Sequence, residues 1–347
     1  MAVSLTGQAL APEPARDIDE PGRGSSWLRY LGLKAGGAAI SLVMVVVLGF
    51  FAFRILPGDP VRSLADGRQV TAEQMDILRR QYGLDQPLLG QFWRYLTDLF
   101  QGKLGDSYTY NRPVMELILD RIGPTLLLTG TAAVLSVLLG LWLGQRAAWR
   151  RGSNFDRSQT GLALVFWSVP TFWLGLLLLL AFAGGLHWFP TGGMVTAGST
   201  RTGIAYLWDV GRHMVLPVLT LVAVVYAQYL MVMRASLLEE MSSDYLVTAR
   251  AKGLREDDVR RKHAVPNALL PTVTLIFLTL GGLVGGAVTV ETVFSWPGLG
   301  YLTFQALSAP DFPLLQGTFV VFSSIVIIMN FFADIVYRIL DPRLRAA

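Results

Sequence analysis

Residues able to do chemistry are scarce in this sequence, and none stand at the spacings that catalysis or metal binding requires. The three histidines, His187, His213 and His263, lie far apart and never form an H-x-x-x-H pair, so no metal centre is expected within the chain. There is no cysteine, which excludes disulfides, thiolate nucleophiles and thiolate metal sites. A phosphate-cradling loop reads G-x-x-x-x-G-K-[ST], but the Gly102-Lys103 pair is followed by Leu104. Neither a G-x-S-x-G nucleophile elbow nor an H-E-x-x-H pair occurs. Polar candidates inside apolar stretches are few: Gln228, Glu291, Asn330 and Asp334. Asp334 reads as a solvated carboxylate at a helix end, and Glu291 either as the same or as an anchor for the loop that it begins. Proton relays across a membrane need several buried ionisable groups, and this chain offers too few. A non-catalytic chain without a cofactor of its own is expected.

The richest chemistry is a charged segment from Ser242 to Pro266. Ser243 or Asp244 is placed to cap a short helix that carries Leu246, Val247 and Ala249 and stops at Gly253. A second helix holds Glu256, Asp257 and Asp258 in its first turn and Arg260, Arg261, Lys262 and His263 in its last. That order complements the helix dipole. It also predicts three i,i+4 pairs, Glu256–Arg260, Asp257–Arg261 and Asp258–Lys262, with Pro266 ending the helix. Two such short apolar faces cannot make a core of their own, so they are expected to rest on another protein. Ala249 and Ala251 would allow close seating, and Gly253 would supply a turn at positive φ.

The elements that position this segment are set by hydropathy. Hydrophobic residues make up 52% of the 347 residues and charged ones 16%, against about a quarter charged in soluble domains. Mean hydropathy is +0.47. Six apolar stretches, at about 31–56, 124–144, 161–186, 213–233, 267–290 and 314–337, are each long enough to cross about 30 Å of hydrocarbon. Between the second and third lie Arg146, Arg150, Arg151 and Arg157; between the fourth and fifth lie Arg234, Arg250, Lys252, Arg255, Arg260, Arg261 and Lys262. The opposite loops hold Arg201 and Arg212 and no Lys or Arg between Val290 and Leu314. Basic loops face the cytoplasm, so both termini are expected inside. The net charge of +4 therefore reports membrane orientation rather than nucleic-acid binding. The fold expected is all-α: a polytopic membrane protein with six transmembrane helices, N-in and C-in.

Outside the spans, residues 1–26 read as a disordered cytoplasmic tail and 344–347 as a second short tail. Residues 57–123 form a helical extracytoplasmic segment. Thr71 and Gln74 make a capping-box pattern, Leu88, Phe92, Tyr95 and Leu99 share one face of a helix that stops at Gly102, and Val114, Leu117, Ile118 and Ile122 lead into the second span. In the fifth span, Gly281–Gly285 and Gly282–Gly286 have the G-x-x-x-G spacing, which fits either close packing against a neighbouring subunit or glycines lining a flexible pore wall. The loop from Glu291 to Leu302, with Phe294, Trp296, Pro297, Gly298 and Tyr301, is compact and aromatic. Together with the external segment it makes a candidate outer gate.

The charged segment reads SDYLVTARAKGL…HAVPNALLP, which resembles the EAA loop of ABC importer membrane subunits. Val247 and His263 stand where the commonest form has Glu and Ile, as in the oligopeptide/dipeptide/nickel subfamily. Leu56-Pro57-Gly58-Asp59-Pro60, Gly102 to Ser107 (GKLGDS), Ser168 to Trp173 (SVPTFW) and Glu291 to Leu302 (ETVFSWPGLGYL) are similar to the same subfamily's B-type permeases over about residues 28–343. The resemblance implies a multi-pass inner-membrane permease spanning 27–343, with 236–266 as its coupling loop. It implies a second homologous permease, ATPase subunits (two, or one fused pair) that hold ATP and magnesium, and an extracytoplasmic solute-binding protein. Contact with the ATPase would fall to Asp244, Tyr245, Ala249, Ala251, Gly253, His263 and Pro266. Di- or oligopeptides are the implied cargo, with nickel, glutathione and oligosaccharide as alternatives. A secondary transporter would be expected to show more helices or internal repeats, an intramembrane enzyme lacks a nucleophile here, and a membrane anchor is the third rival.

Overall fold

A computed structural model of the chain describes residues 23–55, 73, 77 and 85–340. The capping-box pair Thr71 and Gln74, the first 22 residues and the last seven lie outside the described residues. Within them the secondary structure is helical, with one isolated bridge between Asp106 and Pro113. The order is α1 (Arg23–Ile55), α2 (Leu88–Phe100), α3 (Val114–Trp149), α4 (Asn154–Ser168), α5 (Thr171–Leu178) with a π-helical extension Leu179–Gly185, and α6 (Gly203–Glu240). Then come α7 (Asp244–Ala251), α8 (Glu256–Asp258), a π-helical turn Val259–Ala264, α9 (Val265–Ala268), α10 (Leu270–Val293), α11 (Leu299–Ser308) and α12 (Phe312–Leu340). Helix α1 starts at Arg23, inside the stretch expected to be tail.

Four helices are long and apolar enough to cross a bilayer singly: Trp27–Arg54, Val114–Trp149, Gly203–Glu240 and Phe312–Val336. The 24-residue α10 lies between α6 and α12 in the chain. The third apolar stretch departs from the expected straight span. Asn154–Ser168 and Thr171–Gly185 pass the same test only as a pair, bent by 101°. Pro170 is the cause: it cannot donate a backbone hydrogen bond and it forces the residue before it out of the helical region. Val169 accordingly sits at φ −81°, ψ 128°. Helix α3 also differs, because it runs unbroken through Pro124. The amphipathic helix expected before the second span is thus the outer part of one 36-residue rod, roughly 54 Å long at 1.5 Å per residue.

The bundle is built on the pairing of α3 with α6. Gly140 and Gly144 make it possible. A Cβ at Gly140 would lie 2.7 Å from the Tyr226 carbonyl, and one at Gly144 would lie 2.7 Å from the Leu230 carbonyl. Backbone thus meets backbone at a G-x-x-x-G pair, which lets dispersion act where lipid gives no hydrophobic drive. The fifth-span glycines behave otherwise. Gly281 packs on this chain's own α12, near Val326 and Met329, rather than on a neighbouring subunit, and Gly282 faces open space. The surroundings of Gly285 lie outside the described residues. Helix α1 leans on the outside of α12, joined by an ion pair between Lys34 and Asp334 at 2.9 Å. Asp334 is therefore paired, not simply solvated.

Substituting Gly144→Leu should destabilise the subunit by about 1–3 kcal/mol or more, the usual cost of overpacking, whereas Gly130→Ala, with nothing within 4 Å of its Cβ, should leave stability unchanged. Thermal unfolding of the purified variants in detergent checks the contrast.

Candidate functional site: two ends of the bundle

At one end of the bundle three buried carboxylates each hold a loop. Glu291, in the last turn of α10, is fully buried. Its side chain accepts hydrogen bonds from the Thr125 hydroxyl at 2.7 Å and the Tyr301 N–H at 3.0 Å, and the Gly300 N–H also donates to it. Removing a carboxylate from water is tolerated only when such donors replace the lost hydration. The Thr125 hydroxyl in turn accepts from the Leu299 N–H at 2.7 Å, and the Trp296 indole donates to the Pro124 carbonyl at 3.0 Å. Arg121 reaches the Pro297 carbonyl at 3.3 Å. The loop Phe294–Gly298 is thus fastened to α3 along Arg121, Pro124 and Thr125.

The glycines of this loop are there for space. A Cβ at Gly298 would fall inside the Glu291 carboxylate, and one at Gly300 would lie 2.5 Å from the Val288 Cα. Of the two readings of Glu291, the solvated helix-end acid does not fit: it is buried at the centre of the loop that it begins.

Sequence reasoning missed the other two acids. Asp311 is fully buried, accepting from the Ser107 hydroxyl at 2.5 Å, the Thr109 N–H at 3.0 Å and the Leu314 N–H at 3.2 Å. It caps α12 and at the same time docks the Gly102–Ser107 motif. Asp209, near the start of α6 and almost fully buried, accepts from the Thr196 N–H and hydroxyl, both at 2.8 Å, and from Arg201 at 3.1 Å. The capping spacing from Asp311 to Leu314 was the one available signal; the partners of Asp311 on Ser107 and Thr109, and those of Asp209 on Thr196 and Arg201, carried none. The segment before α3, the start of α3 and the helices after the Glu291 loop share a core in which Leu104, Val114, Leu117 and Ile118 meet Leu299, Leu302 and Leu314.

At the opposite end lies the charged segment. Leu246, Ala249, Val259, Ala264 and Ala268 are buried against Ala148, Met233 and Leu237 of α3 and α6. The two short helices therefore do have a core, supplied by this chain's own spans, and the apolar face expected to rest on another protein is occupied. Ala249 belongs to that internal face, while Ala251, Gly253 and Pro266 are exposed and Val247 is 59% exposed. Gly253 has φ +78° with no atom within 4 Å of a Cβ, so its requirement is one of backbone conformation, not of room. Pro266 does not end the helix as expected: it sits in the first turn of α9, where a missing N–H costs nothing, and the path continues into α10.

The intervening Val259–Ala264 is π-helical, which shifts the i,i+4 register. Of the three predicted pairs, only Asp258–Lys262 forms, at 2.9 Å; Arg260 pairs with Asp257 and Arg250 with Glu256, each at 2.9 Å. The Lys262 ammonium holds the Asp258 carboxyl below the usual carboxylate range. The Tyr245 hydroxyl donates to Glu240 and accepts from the Asn267 amide at 2.9 Å, and that amide also reaches the His263 carbonyl at 3.1 Å. Burial, then the contact with Glu240, pushes the Tyr245 hydroxyl up. His263 contributes its backbone, not its ring. This cluster ties the end of α6 to the approach of α10. Nearby, Arg234 of α6 grips Asp156 of α4 through two hydrogen bonds of 2.6 and 2.8 Å. The bidentate geometry is the strong form of this pair.

Two family models cover nearly all of the described chain. Residues 136–346 match the binding-protein-dependent transport system inner membrane component, and residues 27–129 match the N-terminal region of the same class of membrane components. The chain belongs to this family of ABC importer permeases. It is 40% identical to the glutathione transport system permease protein of Salmonella paratyphi A over 92% of this chain and 99% of that one. It is also 40% identical to a protein named a peptide permease from Brucella suis biovar 1, over 88% of this chain and 95% of its relative. Among solved structures, the inward-facing methionine ABC transporter MetNI shares the fold, with a TM-score of 0.53 at 19% identity, covering 65% of this chain and 97% of the other. As a permease of this family, the chain is the non-catalytic, multi-pass membrane component of an ABC transporter that works with ATPase and substrate-binding partners.

The permease's Gly298→Ala variant should lose the Glu291 contacts and about 1–3 kcal/mol of stability. Tryptophan fluorescence should report partial exposure of Trp296, which is fully buried here.

Proposed function

We propose that this permease carries di- or oligopeptides inward across the inner membrane as one half of a heterodimeric pathway, with its partner a homologous second permease. The observation that carries the reading is the end-to-end match to peptide and glutathione permeases, both of which handle solutes built on amide bonds. Glutathione is the second reading, favoured by that same relative. Six spans with both termini in the cytoplasm fit the Lys/Arg distribution, with α4 and α5 as a broken third span and α10 as the fifth.

In this reading Ser242–Pro266 is the coupling element. Its inner face is fused to α3 and α6 through a shared core, so any displacement of its outer face moves the spans with it. Asp244, Tyr245, Ala251, Gly253 and Pro266 are exposed and Ala249 is buried beneath them; an ATPase, as two subunits or one fused pair, would seat on that outer face. At the other end, the Glu291 loop and the docked external segment form the outer gate that meets the solute-binding protein.

ATP-dependent uptake of a labelled tripeptide into proteoliposomes holding the complete transporter tests the function; uptake independent of ATP or of the binding protein would overturn it. Gly253→Val should insert and fold yet reduce uptake at least about tenfold, because a β-branched residue at φ +78° is costly. Gly253→Asn, which tolerates that conformation, should retain most transport. Equal transport by both variants would remove the turn from the coupling path.

A further inference from the structure

The wall formed by α5, α6 and α10 contains a cavity of about 410 Å³, within the range of small-molecule sites. No charged residue lines it. Its lining is apolar apart from Thr171, Gln228 and Thr279. Thr171 stands in the first turn of α5, directly after the break at Pro170, so the bend in the third span brings its hydroxyl to the cavity. The Thr279 hydroxyl donates to the Leu275 carbonyl of its own helix at 2.8 Å and also meets the Tyr229 hydroxyl, so its oxygen keeps room for at most one further donor. Gly282 lines the same space and has nothing within 4 Å of a Cβ. Gln228 is the telling residue. It is half-buried within a membrane-spanning helix, and its carboxamide makes no hydrogen bond to any described residue.

A primary amide with two donors and an accepting oxygen is costly to leave unpaired at membrane depth. Packing of the bundle gains nothing from it, and a leucine there would match the neighbouring Leu221 and Val225. Its complement is a group that also donates and accepts through a planar amide, which is a peptide bond. A neutral site of this kind holds a peptide group by one or two hydrogen bonds and ignores side-chain charge. Sites along a conduction path must bind weakly enough to release.

We propose that Gln228, with Thr171 and Thr279, forms a transient peptide-bond subsite within the translocation wall, which recognises the backbone amide of the passing solute. The proposal rests on the peptide reading above and names the group in this chain that would meet the substrate.

The test uses the complete transporter in proteoliposomes. Wild type is compared with Gln228→Leu and Thr279→Val on a tripeptide and on its ester analogue, in which one backbone N–H is replaced by oxygen. Loss of one hydrogen bond predicts a fall in tripeptide uptake by Gln228→Leu of about threefold to tenfold, with the ratio of peptide to ester uptake collapsing toward one. Because the chain has no cysteine, Gly282→Cys gives an independent readout: a methanethiosulfonate reagent should label it, and tripeptide should protect it during turnover. If wild type moves no peptide, the functional reading itself fails. If wild type moves peptide and Gln228→Leu keeps both its uptake and its peptide-to-ester ratio, the subsite is refuted. If Gln228→Leu fails to assemble, the Gly282→Cys measurement decides: labelling unaffected by tripeptide would make Gln228 a subunit contact and overturn the proposal.

Discussion

A carboxylate removed from water must be given back its hydrogen bonds, and in this permease the Glu291 carboxylate takes them from Thr125 on α3 and from the Gly300 and Tyr301 amides of its own loop. This demand organises one end of the molecule. It fixes the path of residues 294–300, requires glycine where the chain passes over the acid, and joins the end of α10 to the outer half of α3. Since α3 is packed backbone to backbone on α6 through Gly140 and Gly144, the loop is mechanically continuous with the centre of the bundle. Asp311 and Asp209 repeat the device. Each is a buried acid at a helix end that trades hydration for the amides and hydroxyls of a distant loop.

The other end is held differently. Short helices cover the ends of α3 and α6 with apolar side chains, and their charges stay on the outer face. Tyr245, Glu240 and Asn267 close the segment like a clasp between α6 and α9. Both ends combine an apolar core with polar bonds, but the buried carboxylates of Glu291, Asp311 and Asp209 lie at one end and the exposed charged surface at the other. The rods α3 and α6, at 36 and 38 residues, join the two ends.

Much of this was legible in the residues. Spans emerge from uninterrupted hydropathy, which tertiary structure rarely overrides in a membrane, and Gly253 declared its turn because few residues accept positive φ. What was not legible depended on distance or direction. The third stretch read as one straight span because its hydropathy is continuous across Pro170, and the bend of 101° there is set by what each half packs against. The G-x-x-x-G spacing was read only in the fifth apolar stretch, whereas the pair pressed closest against another helix's backbone is Gly140–Gly144, because spacing alone does not say which face a neighbour occupies. The solvated reading of Glu291 stayed open because its partner, Thr125, lies 166 residues away. Pro266 read as a stop because a proline is written the same way at the end of one helix and at the start of the next.

The Thr125–Glu291 bond pins the loop of residues 294–300 to α3. A double-mutant cycle with Thr125→Val and Glu291→Gln, read as unfolding free energy of the assembled transporter in detergent, measures that bond directly. Residues in one buried hydrogen-bonded network couple by about 0.5–3 kcal/mol, and the account predicts a value in that range. Strict additivity of the two substitutions would contradict it.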